Sequence, residues 1–560
     1  MFRTFISGVL VLLTGALTAL GGHPKVARGL DYVNPESTVD VIIQYRQTPT
    51  AAHHQKVHDR GGTHKRDLPL IRAGHYAVPA DKLQELANDP DVVAISPDRE
   101  VRGMLDTAGP AINAPDAWKL GYDGTGIGIA IIDSGVDPHF DLTNKKNSNR
   151  NIVYNQSFVP GSTSTADAYG HGTHVAVVAA GNGRASACGS CTKLLSGIAP
   201  NANIVNLRVL DQNGVGTDSA VIAAIQQAIA LKGTYNIRVI NLSLGRPVSA
   251  SYTVDPLCQA VEAAWKAGIV VVVAAGNQGR NNSAGTEGYG TITAPGNDPY
   301  VITVGAMKTM GTPGRGDDLI ASYSSKGPTL LDHVVKPDLV APGNRIGAGL
   351  AASGQLPGAN PQNIVPETYF YPGAAGASVY YALSGTSMAT PMVSGAVADL
   401  LEKYPSLTPD QVKARLMRTA YKTFPTSSMA TDPVTGIRYT SQYDIFTVGA
   451  GYLDITAALN DTNVAAGTAL SPKVTLDPAT HAVSLVFPKG VVWGTSLVWG
   501  TNIVWGNSLV WGTSLVWGTG VVWGTGGVPA GTSLVWGTSL VWGTGTPAGE
   551  AAGIAINGEN

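Results

Sequence analysis

Three short segments hold residue types that together can cleave an acyl bond. Asp133 closes the run Ile131-Ile132-Asp133-Ser134-Gly135-Val136-Asp137. His171 sits in Gly170-His171-Gly172-Thr173-His174-Val175-Ala176, and Ser387 in Gly385-Thr386-Ser387-Met388-Ala389-Thr390-Pro391. A serine hydroxyl is a weak nucleophile until a base takes its proton. A histidine can be that base and then the acid for the leaving group. A carboxylate on its other nitrogen fixes the tautomer and stabilises the imidazolium. A helix starting at Ser387 adds partial positive charge and free backbone N–H groups where an oxyanion develops. Taken singly, each residue has a plainer reading. A buried strand-end Asp is usually structural, a Ser at a helix start is often an N-cap, and a His beside Gly is often a turn residue. All three together favour acyl transfer over three coincidences. His139 and His174 read as structural neighbours.

The elements that must position these groups follow from hydrophobic patterning. From about Leu105, apolar strands alternate with longer helical patterns. The spacing predicts strands over 127–132, 202–209, 239–242, 269–274 and 300–304, and helices over 171–180, 219–230, 256–266 and 387–403. A further helix starts at Thr408-Pro409-Asp410-Gln411, with Thr as N-cap and Gln at the capping-box position. Such alternation predicts an α/β fold with a doubly wound, mostly parallel sheet flanked by helices. Unbroken apolar strands suit a sheet covered on both faces. Asp133 then falls at a carboxyl end of that sheet, where open α/β folds place their sites. The domain closes near Gly449 to Asp454. Before it, 39–46 and 91–96 read as strands and 81–88 as a short helix, which makes a small α+β unit.

Composition narrows the class. With 560 residues, several folded units are expected. A formal net charge of -2 and 14% charged residues leave no basic field for a nucleic-acid partner. Arg3, the apolar run Phe5 to Leu20 and the small residues Ala19, Gly21 and Gly22 read as an export signal over residues 1–22. The three cysteines include Cys188-Gly-Ser-Cys191, read as a small-loop disulfide that leaves Cys258 free. Zinc spacing is missing. In the tail, Trp493, Trp499, Trp505, Trp511, Trp517 and Trp523 recur every six residues, and Trp536 and Trp542 resume after a break. Six is a multiple of the strand period, so residues 463–560 read as a β-rich repeat extension.

At the three reactive segments the chain resembles the subtilisin-like serine proteases, in that family's Asp, His, Ser order. The resemblance runs from about 105 to 460. It implies a peptidase domain over 105–462, acting on polypeptide substrates through an acyl-enzyme, with no cofactor required for the chemistry. Ala274-Ala275-Gly276-Asn277 resembles the family's oxyanion segment, which implies that Asn277 donates its amide, with Ala275 and Gly276 beside the substrate. Ser243-Leu244-Gly245 and Gly214-Val215-Gly216 resemble the two edges that pair with extended substrate as an added strand. Ser324 to Pro328 and Lys336 to Gly343 resemble further family segments. Residues 23–104 resemble the family's inhibitory propeptide, an intramolecular inhibitor released by a cut near Met104 to Thr107.

Departures from the pattern also matter. Thr293 stands where many relatives have Gly at the floor of the first specificity pocket, and it would narrow that pocket. Asp141 matches one ligand of a family calcium site, yet 184–197 carries the cysteine pair where relatives have a calcium loop. The resemblance therefore leaves structural calcium open. The segment 350–382 is longer than in small relatives and is placed to shape the cleft.

Two functions of different class compete. One is an exported endopeptidase working outside the cytoplasm. The other is a surface binding or assembly protein in which the Trp repeat attaches to a cell envelope or self-associates, and the protease only matures it. Deleting 466–560 discriminates them.

Overall fold

The computed structural model describes residues 37–69, 72–97, 105–143, 151–283, 285–374, 378–432, 437–476 and 483–488, with 23, 25, 26, 30, 376 and 559. The export signal, Met104 and the tryptophan repeat lie outside the described residues. The chain divides into two compact units, Met1–Val101 and Arg102–Asn560.

The first unit is a small antiparallel sheet with two helices. Its strands are β1 (Thr38–Tyr45), β2 (Thr63–Leu68), β3 (Ala73–Pro79) and β4 (Val92–Pro97), in the order β2-β3-β1-β4. Helices α1 (Ala51–His58) and α2 (Leu83–Ala87) complete it. Strand β1 buries Val41, Ile43 and Tyr45 in alternation, as a sheet with one covered face requires. The helix expected over 81–88 begins with a 3₁₀ turn at Ala80–Lys82 before α2 takes over.

The second unit is built on a sheet of eight strands. They are β5 (Gly128–Asp133), β6 (Ile152–Ser157), β7 (Asn203–Arg208), β8 (Ile237–Leu242), β9 (Val270–Ala274), β10 (Ile302–Lys308), β11 (Leu319–Ile320) and β12 (Leu339–Pro342). The order is β11-β10-β9-β8-β5-β7-β6, and β12 also pairs with β10. Every pairing is parallel except β10 with β11. Every residue of β5, β9 and β10 is buried, which accounts for their largely apolar sequences. Strand β6 was not expected from the sequence. It is an edge strand with alternating exposure, and its polar residues mask it.

The helices of this unit are α3 (Leu105–Ala111), α4 (Ala114–Lys119), α5 (Gly172–Ala180), α6 (Asp218–Tyr235), α7 (Pro256–Lys266), α8 (Gln355–Ala359), α9 (Thr386–Lys403), α10 (Pro409–Thr419) and α11 (Ile455–Asn460). Helices α5 and α9 pack together against the sheet, and α6 and α7 form a second pair on β8 and β9. The capping box at Thr408 and Gln411 starts α10 as its sequence predicts. Among the described residues, three two-stranded antiparallel sheets complete the unit: β13 (Ile346–Gly349) with β14 (Tyr380–Leu383), β15 (Ser427–Thr431) with β16 (Arg438–Gln442), and β17 (Lys473–Leu476) with β18 (Val483–Val486). Cys188 and Cys191 are disulfide-bonded, and Cys258 is free and buried.

Packing runs past the boundary expected at residue 462. Ala465, Ala469 and Val474 join the same apolar core. Ser471 reaches further in, donating its hydroxyl to Asp338 at 2.5 Å. That carboxylate is fully buried between two ammonium groups, Lys336 at 2.7 Å and Lys413 at 3.1 Å. It also accepts the Thr303 N–H, which ties β10 to the start of β12. Burial alone would push the Asp338 carboxyl up, but the two lysines outweigh it and hold it below the usual carboxylate range. Asp338→Asn removes the charge that is ion-paired with both ammonium groups. A loss of about 3–5 kcal/mol is expected, the range for breaking a buried ion pair. Denaturant unfolding of the purified chain measures it, and a loss under about 1 kcal/mol would show that the cluster contributes little.

Candidate active site

Parallel pairing brings three strand ends to one level. Ile131 of β5 faces Asn241 of β8, and Asn241 faces Val272 of β9. Two residues further on, Asp133, Ser243 and Ala274 therefore lie side by side at the carboxyl edge. Asp133 is buried, and its Oδ1 accepts from Nδ1 of His171 at 2.8 Å. The Ser134 N–H donates to the same oxygen at 2.7 Å. His171 stands immediately before α5, with its side chain 15% exposed, so one ring edge reaches solvent. Burial disfavours its imidazolium, but the adjacent Asp133 charge and hydrogen bond outweigh that and raise His171 above the ordinary histidine value.

Ser387 lies in the first turn of α9, which starts one residue earlier than expected, with Gly385 as its N-cap. The Ser387 hydroxyl donates to the Ser243 carbonyl at 3.1 Å rather than to Nε2 of His171. The Ser243 hydroxyl returns a bond to the Ser387 carbonyl at 2.7 Å. Those two bonds fix the head of α9 over the end of β8.

Asn277 follows β9 and is gripped by Thr386. Its Oδ1 accepts the Thr386 N–H at 2.9 Å and the Thr386 hydroxyl at 3.0 Å. Both bonds go to the oxygen, so the amide nitrogen keeps its two donors for another partner. The Gly276 N–H donates to the Thr386 hydroxyl at 3.1 Å, closing the clamp. Gly385 has φ +146°, and a Cβ there would sit 3.1 Å from Nδ2 of Asn277. Only glycine leaves that amide its room. Nothing in the motif around Thr386 signals this role, because its partner is more than a hundred residues away in the chain.

The expected substrate edges are partly tied together. Thr293 is buried, and its N–H and hydroxyl both donate to the Ala275 carbonyl, at 3.1 and 3.3 Å. A Cβ on Gly245 would meet the Thr293 hydroxyl at 2.6 Å, and one on Gly276 would meet it at 3.1 Å. Thr293 thus joins the 243–245 and 275–277 segments, and Leu244 is half-buried beside them. Arg246 and Ala294 continue that contact as an antiparallel bridge. In the other edge, Gly214 has φ +73° and its Cβ would strike the Tyr169 ring, Val215 is exposed, and a Cβ on Gly216 would press on the Val209 carbonyl.

Asp167 was also missed. It is buried, and it accepts from the Ser134 hydroxyl at 2.7 Å and from the N–H groups of Gly170 and Thr173, each at 2.7 Å. It therefore fixes the turn that carries His171. The long 350–382 segment braces the same turn from outside: Gln355 and Leu356 donate to the carbonyls of Ala168 and Tyr169. His174 is buried against the Ile346 and Tyr381 carbonyls, and burial pushes it down to about 3. His139 caps a short turn and contacts the Val379 carbonyl, so both histidines are structural.

Asp141 is engaged within the protein through both carboxylate oxygens. One carboxylate oxygen accepts the Ala185 N–H at 2.8 Å, and the other accepts the Tyr380 hydroxyl at 2.7 Å. Among the described residues, the ligand-type side chains that converge within 4.8 Å are His54, His64 and Asp67 in the first unit.

Comparison with known proteins agrees with this geometry. The family model described as the subtilase family matches residues 124–451. Serine protease AprX of Bacillus subtilis is 36% identical over 329 residues, which is 57% of this chain and 67% of that protein. Subtilisin E of the same species is 32% identical over 388 residues, 68% of this chain and 84% of its own. Subtilisin DY of Bacillus licheniformis is 36% identical over 313 residues, 56% of this chain and 89% of its own. This chain belongs to the subtilase family and is a serine endopeptidase that acts on polypeptides.

Proposed function

We propose that Asp133, His171 and Ser387 form the catalytic triad, and that the chain is made as an exported, self-processed zymogen. The observation that carries the triad is the 2.8 Å bond from His171 to a buried Asp133 beside the strand end to which Ser387 is tied. The Ser387 hydroxyl turns from the Ser243 carbonyl toward Nε2 of His171, which takes its proton as the oxygen attacks the scissile carbonyl. His171, now an imidazolium held by Asp133, gives that proton to the leaving amine. Water repeats the cycle on the acyl-enzyme. The freed Nδ2 of Asn277 and the Ser387 N–H, which has no intrahelical acceptor, donate to the oxyanion. Substrate adds as a strand beside 243–245 and 214–216, and Thr293 narrows the first side-chain pocket. No calcium at Asp141 enters this reading, and no step needs a cofactor.

Residues 1–22 would direct export, and 23–104 would act as the intramolecular inhibitor. The antiparallel unit of 38–97 supports an independently folded pro-segment. Among the described residues no helix is long and apolar enough to cross a membrane. The Trp repeat remains the candidate for envelope contact or self-association.

Fluorophosphonate labelling tests the nucleophile. Label is expected on Ser387 and is abolished in Ser387→Ala, as mapped by mass spectrometry; a folded, processed chain without label would refute the triad. The acid limb of the activity profile is a second test. His171 works as a base only when neutral, and Asp133 raises its pKa, so activity is present above that raised value and lost as pH falls through it. Asp133→Asn should lower turnover about 10⁴-fold and move the remaining acid limb to lower pH. An unmoved limb would show that another group controls it. N-terminal sequencing of the exported protein should find a start near Met104 to Thr107, and a start before residue 98 would remove the pro-segment assignment.

A further inference from the structure

Glu559 comes from beyond the tryptophan repeat, yet it is only 5% exposed. Its carboxylate lies 2.6 Å from Arg280 and 3.0 Å from Lys308. The Ser322 N–H donates to it at 2.8 Å, and the Ser322 hydroxyl donates as well. The main chain of Glu559 is read too. Its N–H donates to Oδ1 of Asn344 at 2.9 Å, and its carbonyl accepts from Nδ2 of Asn344 at 2.7 Å. Arg280, Lys308, Ser322 and Asn344 are themselves 8%, 4%, 2% and 3% exposed, so this is a built pocket and not a surface contact. Arg280 is held in place from its other side by Asp432 at 2.8 Å and by the Tyr439 ring. Burial pushes the Glu559 carboxyl up, while Lys308, Ser322 and Arg280 outweigh it and hold it low. An amide paired to a peptide unit and two buried cations on the side chain make a two-point reading of an acidic peptide.

The pocket walls are the segments that carry the active site. Arg280 follows Asn277 by three residues. Asn344 lies between Gly343, whose carbonyl accepts the Gly385 N–H at 2.8 Å, and Arg345, whose N–H donates to the Ser384 hydroxyl at 2.8 Å. The Tyr323 hydroxyl, next to Ser322, donates to the same Gly343 carbonyl at 3.0 Å.

We propose that Arg280, Lys308, Ser322 and Asn344 form a carboxylate-selective peptide site whose ligand is Glu559 of this same chain, and that its occupancy braces the segments holding Asn277 and Gly385. The bracing rests on the triad reading given above, and the binding does not.

Hydrogen exchange separates the two. In the full chain carrying Ser387→Ala, which cannot digest itself, the Glu559 amide should exchange at least about 100-fold more slowly than in a free peptide. Exchange at the free-peptide rate would overturn the pocket. In the full chain carrying Glu559→Lys the protection should vanish, and the thermal midpoint should fall by about 3 °C. A synthetic peptide of residues 555–560, Ala-Ile-Asn-Gly-Glu-Asn, should restore the midpoint, and the same peptide with Gln for Glu should not. An unchanged midpoint, or equal response to both peptides, would again overturn the pocket. Should Glu559→Lys fail to fold, the exchange rate in the first chain decides. Bracing is read from the fluorophosphonate labelling rate of Ser387, expected to fall about tenfold in Glu559→Gln. An unchanged rate with the Glu559 amide deprotected would overturn bracing and leave the pocket standing. Absence of label in the unsubstituted chain would refute the triad instead.

Discussion

The register of β5, β8 and β9 is the constraint on which the site depends. Parallel strands place their carboxyl ends together, and here three adjacent ends deliver Asp133, Ser243 and the 275–277 segment within one span. A slip of β5 by one residue would turn Asp133 to the other face of the sheet. Burial prevents that slip. Every residue of β5 and β9 is covered, so a shifted strand would have to exchange its whole apolar set. The same covering withdraws Asp133 from water, which strengthens its hold on His171.

Helix α9 completes the arrangement from the other direction in the chain. Its first turn is fastened twice, through Ser243 and through the Thr386–Asn277 clamp. These bonds are short range in space and long range in sequence. Rigid attachment matters because a reacting group displaced by 1 Å can lose two orders of magnitude in rate. Buried charge at Asp338 performs a related service for the sheet. It joins β10, β12, α10 and the chain beyond residue 462 at one point that no apolar residue could satisfy.

Much of this was legible in the sequence, and for identifiable reasons. Strands such as Val270–Ala274 are almost unbroken runs of β-branched residues, and a helix cap such as Thr408 acts within three residues. Local signals of that kind need no partner. The three reactive segments were legible because their glycines and reactive residues lie close together. What escaped was the choice of distant partners. Asp167 reads as an ordinary loop carboxylate until Ser134, Gly170 and Thr173 are seen to converge on it. Thr386 reads as a helix-start residue until Asn277 is beside it. Strand β6 alternates with polar residues and lacks the apolar run that revealed its neighbours. Glu559 carries no local signal at all, since its meaning lies entirely in four residues from other parts of the chain.

The glycines around His171 show how the local pattern and the distant partner become one feature. Gly135 has φ +113°, and a Cβ there would strike the Ala166 carbonyl at 2.6 Å. A Cβ on Gly172 would strike the Gly135 carbonyl and would lie 3.2 Å from Cβ of Asp133. One on Gly170 would meet Pro357, in the long segment before β14, at 2.9 Å. Three backbones therefore crowd the histidine turn: the chain leaving β5, the 165–167 loop and the 354–357 loop. Side chains at these glycines would push the start of α5 away from Asp133 and stretch the 2.8 Å bond to His171. The glycines are spaced as they are because the Asp133–His171 contact needs backbone to approach from three sides, and only a residue without a Cβ permits it.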